Sequence, residues 1–190
     1  MTPHDAFQEG DALIVVDVQN DFCPGGKLPI PQGDEVIPIL NDMMAAAAEK
    51  GVPVFASRDW HPNVHISFRE QGGPWPPHCV QDSEGAAFHP NLRLPEQAIV
   101  VTKGVRFDQD QNSAFDQTGL AAFMKRLGIR RVWVGGLAQD VCVAATALDA
   151  RAAGFETFVI EEATKPVTEK QGRAALKKMA AAGAHIARWT

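Results

Sequence analysis

The 190-residue chain fits one domain of ordinary size and leaves little room for a second. Hydrophobic residues make up 45% and charged residues 22%, which excludes a disordered chain, and its 16 glycines follow no G-X-Y period, which excludes a collagen-like one. A net charge of −5 gives no overall basic surface, so no nucleic-acid partner is expected; no apolar run approaches the ~20 residues that span a bilayer, so no membrane partner is expected either.

The N-terminal run MTPHDAFQEGD is acidic and lacks the basic and apolar regions of a signal peptide. The three cysteines, Cys23, Cys79 and Cys142, are too few and too scattered for a disulfide framework. A cytoplasmic protein with free thiols is the expectation.

Short apolar, β-branched runs then alternate with helical periods. Residues 12–18, 52–57, 98–102, 131–135 and 155–160 predict buried strands, with a weaker sixth at 184–188. After the first strand, Val36, Ile39, Leu40, Met43, Met44 and Ala47 recur at helical spacing, and Gly51 follows as a stop. Pro38 is tolerable there only near the first turn. Leu120, Phe123, Met124 and Leu127 predict a second helix before Gly128; Val141, Ala144, Ala145, Leu148 and Ala152 a third before Gly154; Leu176, Met179, Ala180 and Gly183 a fourth. Strands hydrophobic throughout and separated by helices imply a mainly parallel sheet covered on both faces, a three-layer α/β/α sandwich. Ligands in such sheets bind at the carboxyl ends of the strands.

One stretch, residues 59–97, has no period at all. It carries six prolines and four histidines, and so long an irregular segment in a compact domain points to function. Within it, Asp59 and His61 have D-x-H spacing, which lets both face one side of an extended chain, and His65 and His78 follow closely. Carboxylate and imidazole donors together suit Zn, Fe or Mn better than Ca or Mg. His4, His89 and His185 join no cluster and read as structural or surface residues.

Three further polar residues sit at predicted strand ends: Asp17 in IVVDVQNDF, Lys103 after AIVVT, and Cys142 after VWVGGLAQD at a helix start. Taken singly, each has a structural explanation as a cap, a solvated lysine or an inert core thiol. Together they make a nucleophilic apparatus: a thiol whose pKa the helix start and a cation would lower, a carboxylate to shuttle its proton, and an ammonium. Backbone N–H groups around Ala138 and Cys142, in a turn that leads into a helix, could stabilise an oxyanion. Cys23 and Cys79 lie in proline-flanked loops, so Cys142 is the one thiol expected to be essential.

The motifs DVQNDF (17–22), RDWHP (58–62), HISF (65–68), GGPWPPHCV (72–80), KG (103–104) and GGLAQDVCV (135–143) resemble the nicotinamidase branch of the isochorismatase-like cysteine hydrolases. The resemblance implies the same α/β/α fold in one domain over residues 1–190. It implies a triad of Asp17, Lys103 and Cys142, and a metal site of Asp59, His61 and His78, with His65 a further ligand in some members. Phe22 and Trp75 match aromatics that flank the pyridine ring. Leu137 and Ala138 match a pair joined by a cis peptide that shapes the oxyanion hole, and Leu137 is expected among the substrate contacts. Asn112 departs from the resemblance, standing where many relatives have an aromatic wall residue.

The implied reaction is hydrolysis of nicotinamide to nicotinic acid and ammonia in NAD salvage, with pyrazinamide as a second substrate. The implied cofactor is one divalent transition ion, zinc first and iron or manganese as alternatives, that binds the substrate nitrogen as a template. No triad residue is a ligand in this assignment, so the triad should stay assembled when the metal is removed. A homo-oligomer stays open. Two rivals remain. A related hydrolase would act on isochorismate or an N-carbamoyl compound, but isochorismate cleavage needs neither the metal nor the nucleophilic cysteine. A non-catalytic metal-binding interaction domain would be expected to have lost part of the triad, and none is lost here.

Overall fold

A computed structural model describes residues 6–189. Among them, six strands form one sheet: β1 (Asp11–Val16), β2 (Val54–Asp59), β3 (Ile99–Lys103), β4 (Arg131–Leu137), β5 (Glu156–Lys165) and β6 (His185–Ala187). The strand order is β3-β2-β1-β4-β5-β6, and every pairing is parallel. The helices are α1 (Val36–Glu49), α2 (Leu120–Arg126), α3 (Ala144–Ala152) and α4 (Glu169–Ala181). None of them is long and apolar enough to cross a membrane.

β1 reads as a continuous apolar run because both of its faces are covered. Leu13 and Val15 join a core with Leu40, Met43 and Met44 of α1, whereas Ile14 and Val16 join a second core with Met124 of α2, Ala147 of α3 and Met179 of α4. All four strand residues are fully buried, which stabilises the fold by roughly 1.5–3 kcal/mol each. Pro38 is the third residue of α1, where its missing N–H costs no helical hydrogen bond. The helix ends as Gly51 turns to φ +67° and Val52 N–H reaches back 2.8 Å to the Ala47 carbonyl.

The chain winds outward in both directions from β1, so the crevice between the β1 and β4 connections is the switch point where such sheets bind ligands. Gly136 sits beside it at φ +126°, and a Cβ there would collide with the Val16 backbone. Only glycine lets β4 approach β1 so closely.

Three differences from the sequence-based expectation matter. α4 starts at Glu169, well before its apolar stripe, because Thr168 caps it by accepting the Gln171 N–H at 3.2 Å. β5 runs on to Lys165, past the end of its apolar run. The third helix opens with a π-helical turn, Gln139–Val143, that carries Cys142. The irregular stretch folds over the carboxyl edge of the sheet with short 3-10 turns at Arg69–Gln71 and Glu84–Ala86.

Candidate active site

Four strand ends deliver the candidate residues to one place. Asp17 follows β1, Asp59 ends β2, Lys103 ends β3, and Ala138 follows β4 just before the turn bearing Cys142. Asp17 adopts a left-handed φ of +50°, uncommon for a side chain with a Cβ and a frequent mark of functional positions. Its carboxylate accepts a hydrogen bond from Ser57 Oγ at 2.6 Å on Oδ1 and one from Lys103 Nζ at 2.7 Å on Oδ2.

Lys103 is fully buried. Its ammonium donates to Asp17, to Asp59 Oδ1 at 2.6 Å and, more weakly, to the Gln111 carbonyl at 3.4 Å, and it stands 3.6 Å from Cys142 Sγ. Burial alone would discharge it, but the two carboxylates outweigh that and hold its pKa well above the ordinary lysine value. Asp59 shows the converse: burial works to raise its pKa, yet Lys103 and His61 hold it well below the usual carboxylate range. Asp17, with burial dominant and Lys103 opposing, is raised. The triad and the acidic end of the metal cluster thus share one ammonium.

Oxygen atoms of Asp17 and Asp59 and the sulfur of Cys142 lie within 4.8 Å of one another. Burial pushes the Cys142 thiol well above its ordinary pKa; Lys103 opposes this and the two carboxylates add to it. The lowering expected from a helix start is therefore overcome, because desolvation of a fully enclosed thiolate costs more than one shared cation returns. A thiol so placed needs a base beside it. The peptide between Leu137 and Ala138 is cis, as the resemblance implies. The Ala138 carbonyl accepts from the N–H groups of Val141 and Val143, both at 3.1 Å, and so folds the turn around Cys142.

The metal-type residues converge on the neighbouring edge. Donor atoms of Asp59, His61 and His78 lie within 4.8 Å of one another, as do those of His61, His65 and Asp110. His61 Nδ1 donates to the Gly104 carbonyl at 2.8 Å and His78 Nδ1 to the Pro76 carbonyl at 2.7 Å. Since carbonyls only accept, each of these rings, when neutral, carries its lone pair on Nε2. His65 Nδ1 is engaged by Ser67 Oγ at 2.7 Å, and His65 Nε2, buried, has no hydrogen-bond partner among the described residues. Burial, with His61 next in effect, holds the His65 pKa down to about 4, so its ring is neutral near pH 7. A buried, neutral, unpartnered imidazole beside two others anchored through Nδ1 is the donor set expected of a transition-metal site. At Gly104, φ is +71° and a Cβ would lie 2.5 Å from His61 Cε1, so glycine is needed for the carbonyl to reach the ring.

A cavity of about 60 Å³ opens onto Cys142. Its walls include Phe22, Trp75, Asp59, His78, Asn112 and Ala138, which gives room for one small flat ring. Phe22 packs against His78 with ring centroids 5.5 Å apart. Asn112 Oδ1 lies 3.9 Å from Cys142 Sγ, so the departure from the aromatic pattern puts an amide at the nucleophile. Leu137 does not line the cavity. Period-two alternation turns it to the same face as Trp133, into the core under α1, where it is fully buried. Its assignment as a substrate contact is therefore corrected.

Sequence reasoning missed Ser57, Gln111 and Asp110. Ser57 hides in an apolar strand, and the other two sit in a loop without spacing. Gln111 Oε1 accepts the Gly104 N–H at 3.1 Å, which fixes the loop carrying His61's carbonyl partner. Cys23, Cys79 and Cys142 are all free and buried, as their scatter suggested for pairing. His89 is half-buried and accepts from the Asn91 N–H, and His185 is exposed 3.6 Å from Glu156, in keeping with structural and surface roles. His4 lies outside the described residues.

Comparison with known proteins bears on what this site does. The isochorismatase domain model matches residues 11–190. A nicotinamidase of Acinetobacter baylyi is 39% identical over 178 residues, which span 82% of this chain and 81% of that protein. The structure of the pyrazinamidase of Pyrococcus horikoshii in complex with zinc has a TM-score of 0.91 and 45% identity, covering 94% of this chain and 99% of that one. The structure of PnC1 from L. infantum in complex with nicotinate has a TM-score of 0.86 and 39% identity, covering 94% of this chain and 92% of that one.

Proposed function

We propose that this chain, which belongs to the isochorismatase family, hydrolyses nicotinamide to nicotinic acid and ammonia through a thioester on Cys142. The observation that carries the reading is the meeting of Cys142, Asp17 and Lys103 at one end of a ring-sized cavity walled by Phe22 and Trp75.

Asp17 takes the proton from Cys142 as Sγ attacks the carboxamide carbon. A buried carboxylate whose pKa burial raises is suited to this role, because it takes up a proton more readily than an ordinary carboxylate and can return it. Lys103 stays charged and steadies the carboxylate and the developing thiolate. The negative oxygen of the tetrahedral intermediate rests on the backbone N–H groups of Ala138 and Cys142. Asp17 then gives its proton to the amide nitrogen, the C–N bond breaks and ammonia leaves. Asp17 next takes a proton from water, the hydroxide attacks the thioester, and nicotinic acid departs as Sγ is reprotonated.

Asp59, His61 and His78 would hold a divalent transition ion, zinc first and iron or manganese as alternatives, with His65 as a further ligand. When bound, the ion supplies a seat for the ring nitrogen and so orients the carboxamide towards Cys142. Pyrazinamide, which keeps a ring nitrogen beside a carboxamide, fits the same reading as a second substrate. The product places the reaction in NAD salvage.

The test is ammonia release from nicotinamide and from benzamide, by ion-loaded and ion-stripped protein. Fast release from nicotinamide that depends on the ion, with benzamide slow in both states, is expected. No ammonia from nicotinamide with loaded protein would refute the function. Equal rates on the two amides would refute the seat for the ring nitrogen.

A further inference from the structure

Asp110 is the one residue around the metal cluster that no motif explains. Its carboxylate lies within 4.8 Å of the donor atoms of His61 and His65, a grouping that shares His61 with that of Asp59 and His78. Its place is built, not accidental. Oδ1 accepts the Gln111 N–H at 2.9 Å, the Gln111 side chain holds the Gly104 N–H, and Gly104 in turn holds His61 through its carbonyl. Asp110 also lines the cavity that contains Cys142 and His78.

A second, independent observation points the same way. His65 is fully buried and stacked on His61, with ring centroids 4.1 Å apart and an interplanar angle of 23°. Its Nδ1 is occupied by Ser67, and its Nε2 has no hydrogen-bond partner among the described residues. A buried ring nitrogen left unpaired costs about 1–3 kcal/mol unless something outside the chain meets it. Asp110 is the carboxylate grouped with His61 and His65, each with a donor atom within 4.8 Å of the others.

We propose that Asp110 is part of the metal site, forming with His61 and His65 a second face on the ion that Asp59, His61 and His78 hold. The site then offers two carboxylates and three imidazoles. Asp59, His61 and His78, with the substrate's ring nitrogen, already satisfy a four-coordinate zinc ion. A fifth donor, and a hard one, favours an ion that takes six ligands and prefers oxygen, such as Mn²⁺. Asp110 therefore sets how well this chain holds Mn²⁺ relative to Zn²⁺. The inference rests on the metal site of the proposed function and is independent of the substrate.

The test uses the full chain stripped of metal, with Mn²⁺ and Zn²⁺ affinities measured by competition against a chromophoric chelator. The variants are Asp110→Asn, Asp110→Ser and Asp108→Asn. Asparagine keeps the hydrogen bond from Gln111 N–H, and serine provides a second route if asparagine misfolds. Asp108 is an exposed carboxylate two residues away, paired with Arg106, so it controls for charge alone. Asp110→Asn is expected to weaken Mn²⁺ at least tenfold and Zn²⁺ clearly less, with Asp108→Asn within about twofold of the parent, in line with the ~10–100-fold cost of losing groups around a metal. Equal, small effects of Asp110→Asn and Asp108→Asn would overturn the inference while leaving the metal site standing. Parent protein that binds neither ion would overturn both.

Discussion

Lys103 Nζ lies 2.6 Å from Asp59 Oδ1 while also donating to Asp17, so a single buried ammonium joins the proposed proton shuttle to the proposed metal site. Replacing it with methionine leaves two buried carboxylates facing each other without their cation. Lys103→Met is expected to lose about 3–5 kcal/mol of stability, to abolish turnover and to alter ion affinity together. Denaturant unfolding and chelator competition on the same preparation check this. Lost turnover with unchanged stability and ion binding would show that the two sites are separate.

Asp17→Asn removes the carboxylate assigned to take the Cys142 proton, and kcat is expected to fall by ~10²–10⁴-fold. Ser57→Ala is the milder variant. The Ser57 hydroxyl lowers the Asp17 pKa by bonding its charged form, so its loss raises that pKa further. Asp17 acts as a base only when ionised, and activity falls as pH drops through its pKa. The acid limb of the pH–rate profile should therefore move to higher pH in Ser57→Ala, and an unmoved limb would place the base elsewhere.

Cys142→Ala should abolish turnover, while Cys23→Ala and Cys79→Ala keep most of it. Both loop thiols are buried, and burial raises the pKa of each, Cys23 to about 11 with Asp34 adding to the effect. They stay protonated and inert at neutral pH. Cys23 ionises near 9 in an unfolded chain, so its favourable contribution is complete below about pH 9 and is lost as pH rises through about 11. The denaturation midpoint should consequently fall less steeply over that window in Cys23→Ala than in the parent, as measured by urea titration.

Much of this was legible in the sequence, and the gaps have physical causes. Fully buried parallel strands such as β1 announce themselves as unbroken apolar runs, and residues at their carboxyl ends, Asp17, Asp59 and Lys103, inherit a shared location from the sheet. The start of α4 escaped notice because its first two turns are polar and only the Thr168 and Gln171 cap marks them. The resemblance pairs Leu137 with Ala138, and of the two only Ala138 lines the cavity; Leu137, the last residue of β4, packs into the core under α1, a placement that burial alone decides. Asp110 and Gln111 carry no period, and their importance comes only from the loop that brings them onto His61 and Lys103. The Cys142 pKa reversed its expected direction because sequence shows the helix start but not the depth of burial.

His61→Ala separates binding from chemistry. It removes the residue common to both donor groupings, so ion binding should be lost and KM for nicotinamide should rise sharply. Cys142 keeps its place beside Lys103 and Asp17, and alkylation by a small thiol reagent should proceed at close to the parent rate. Loss of alkylation together with ion binding would mean that the ion also organises the nucleophile.

The central claim is a covalent intermediate on Cys142, and intact-protein and peptide mass spectrometry of acid-quenched turnover tests it most directly. Ion-loaded parent protein mixed with nicotinamide should show a fraction of chains heavier by one nicotinoyl group, with the added mass on the Cys142 peptide and absent from Cys142→Ala. Steady ammonia release by Cys142→Ala, or a nicotinoyl group found on Cys23 or Cys79 instead, would contradict the account.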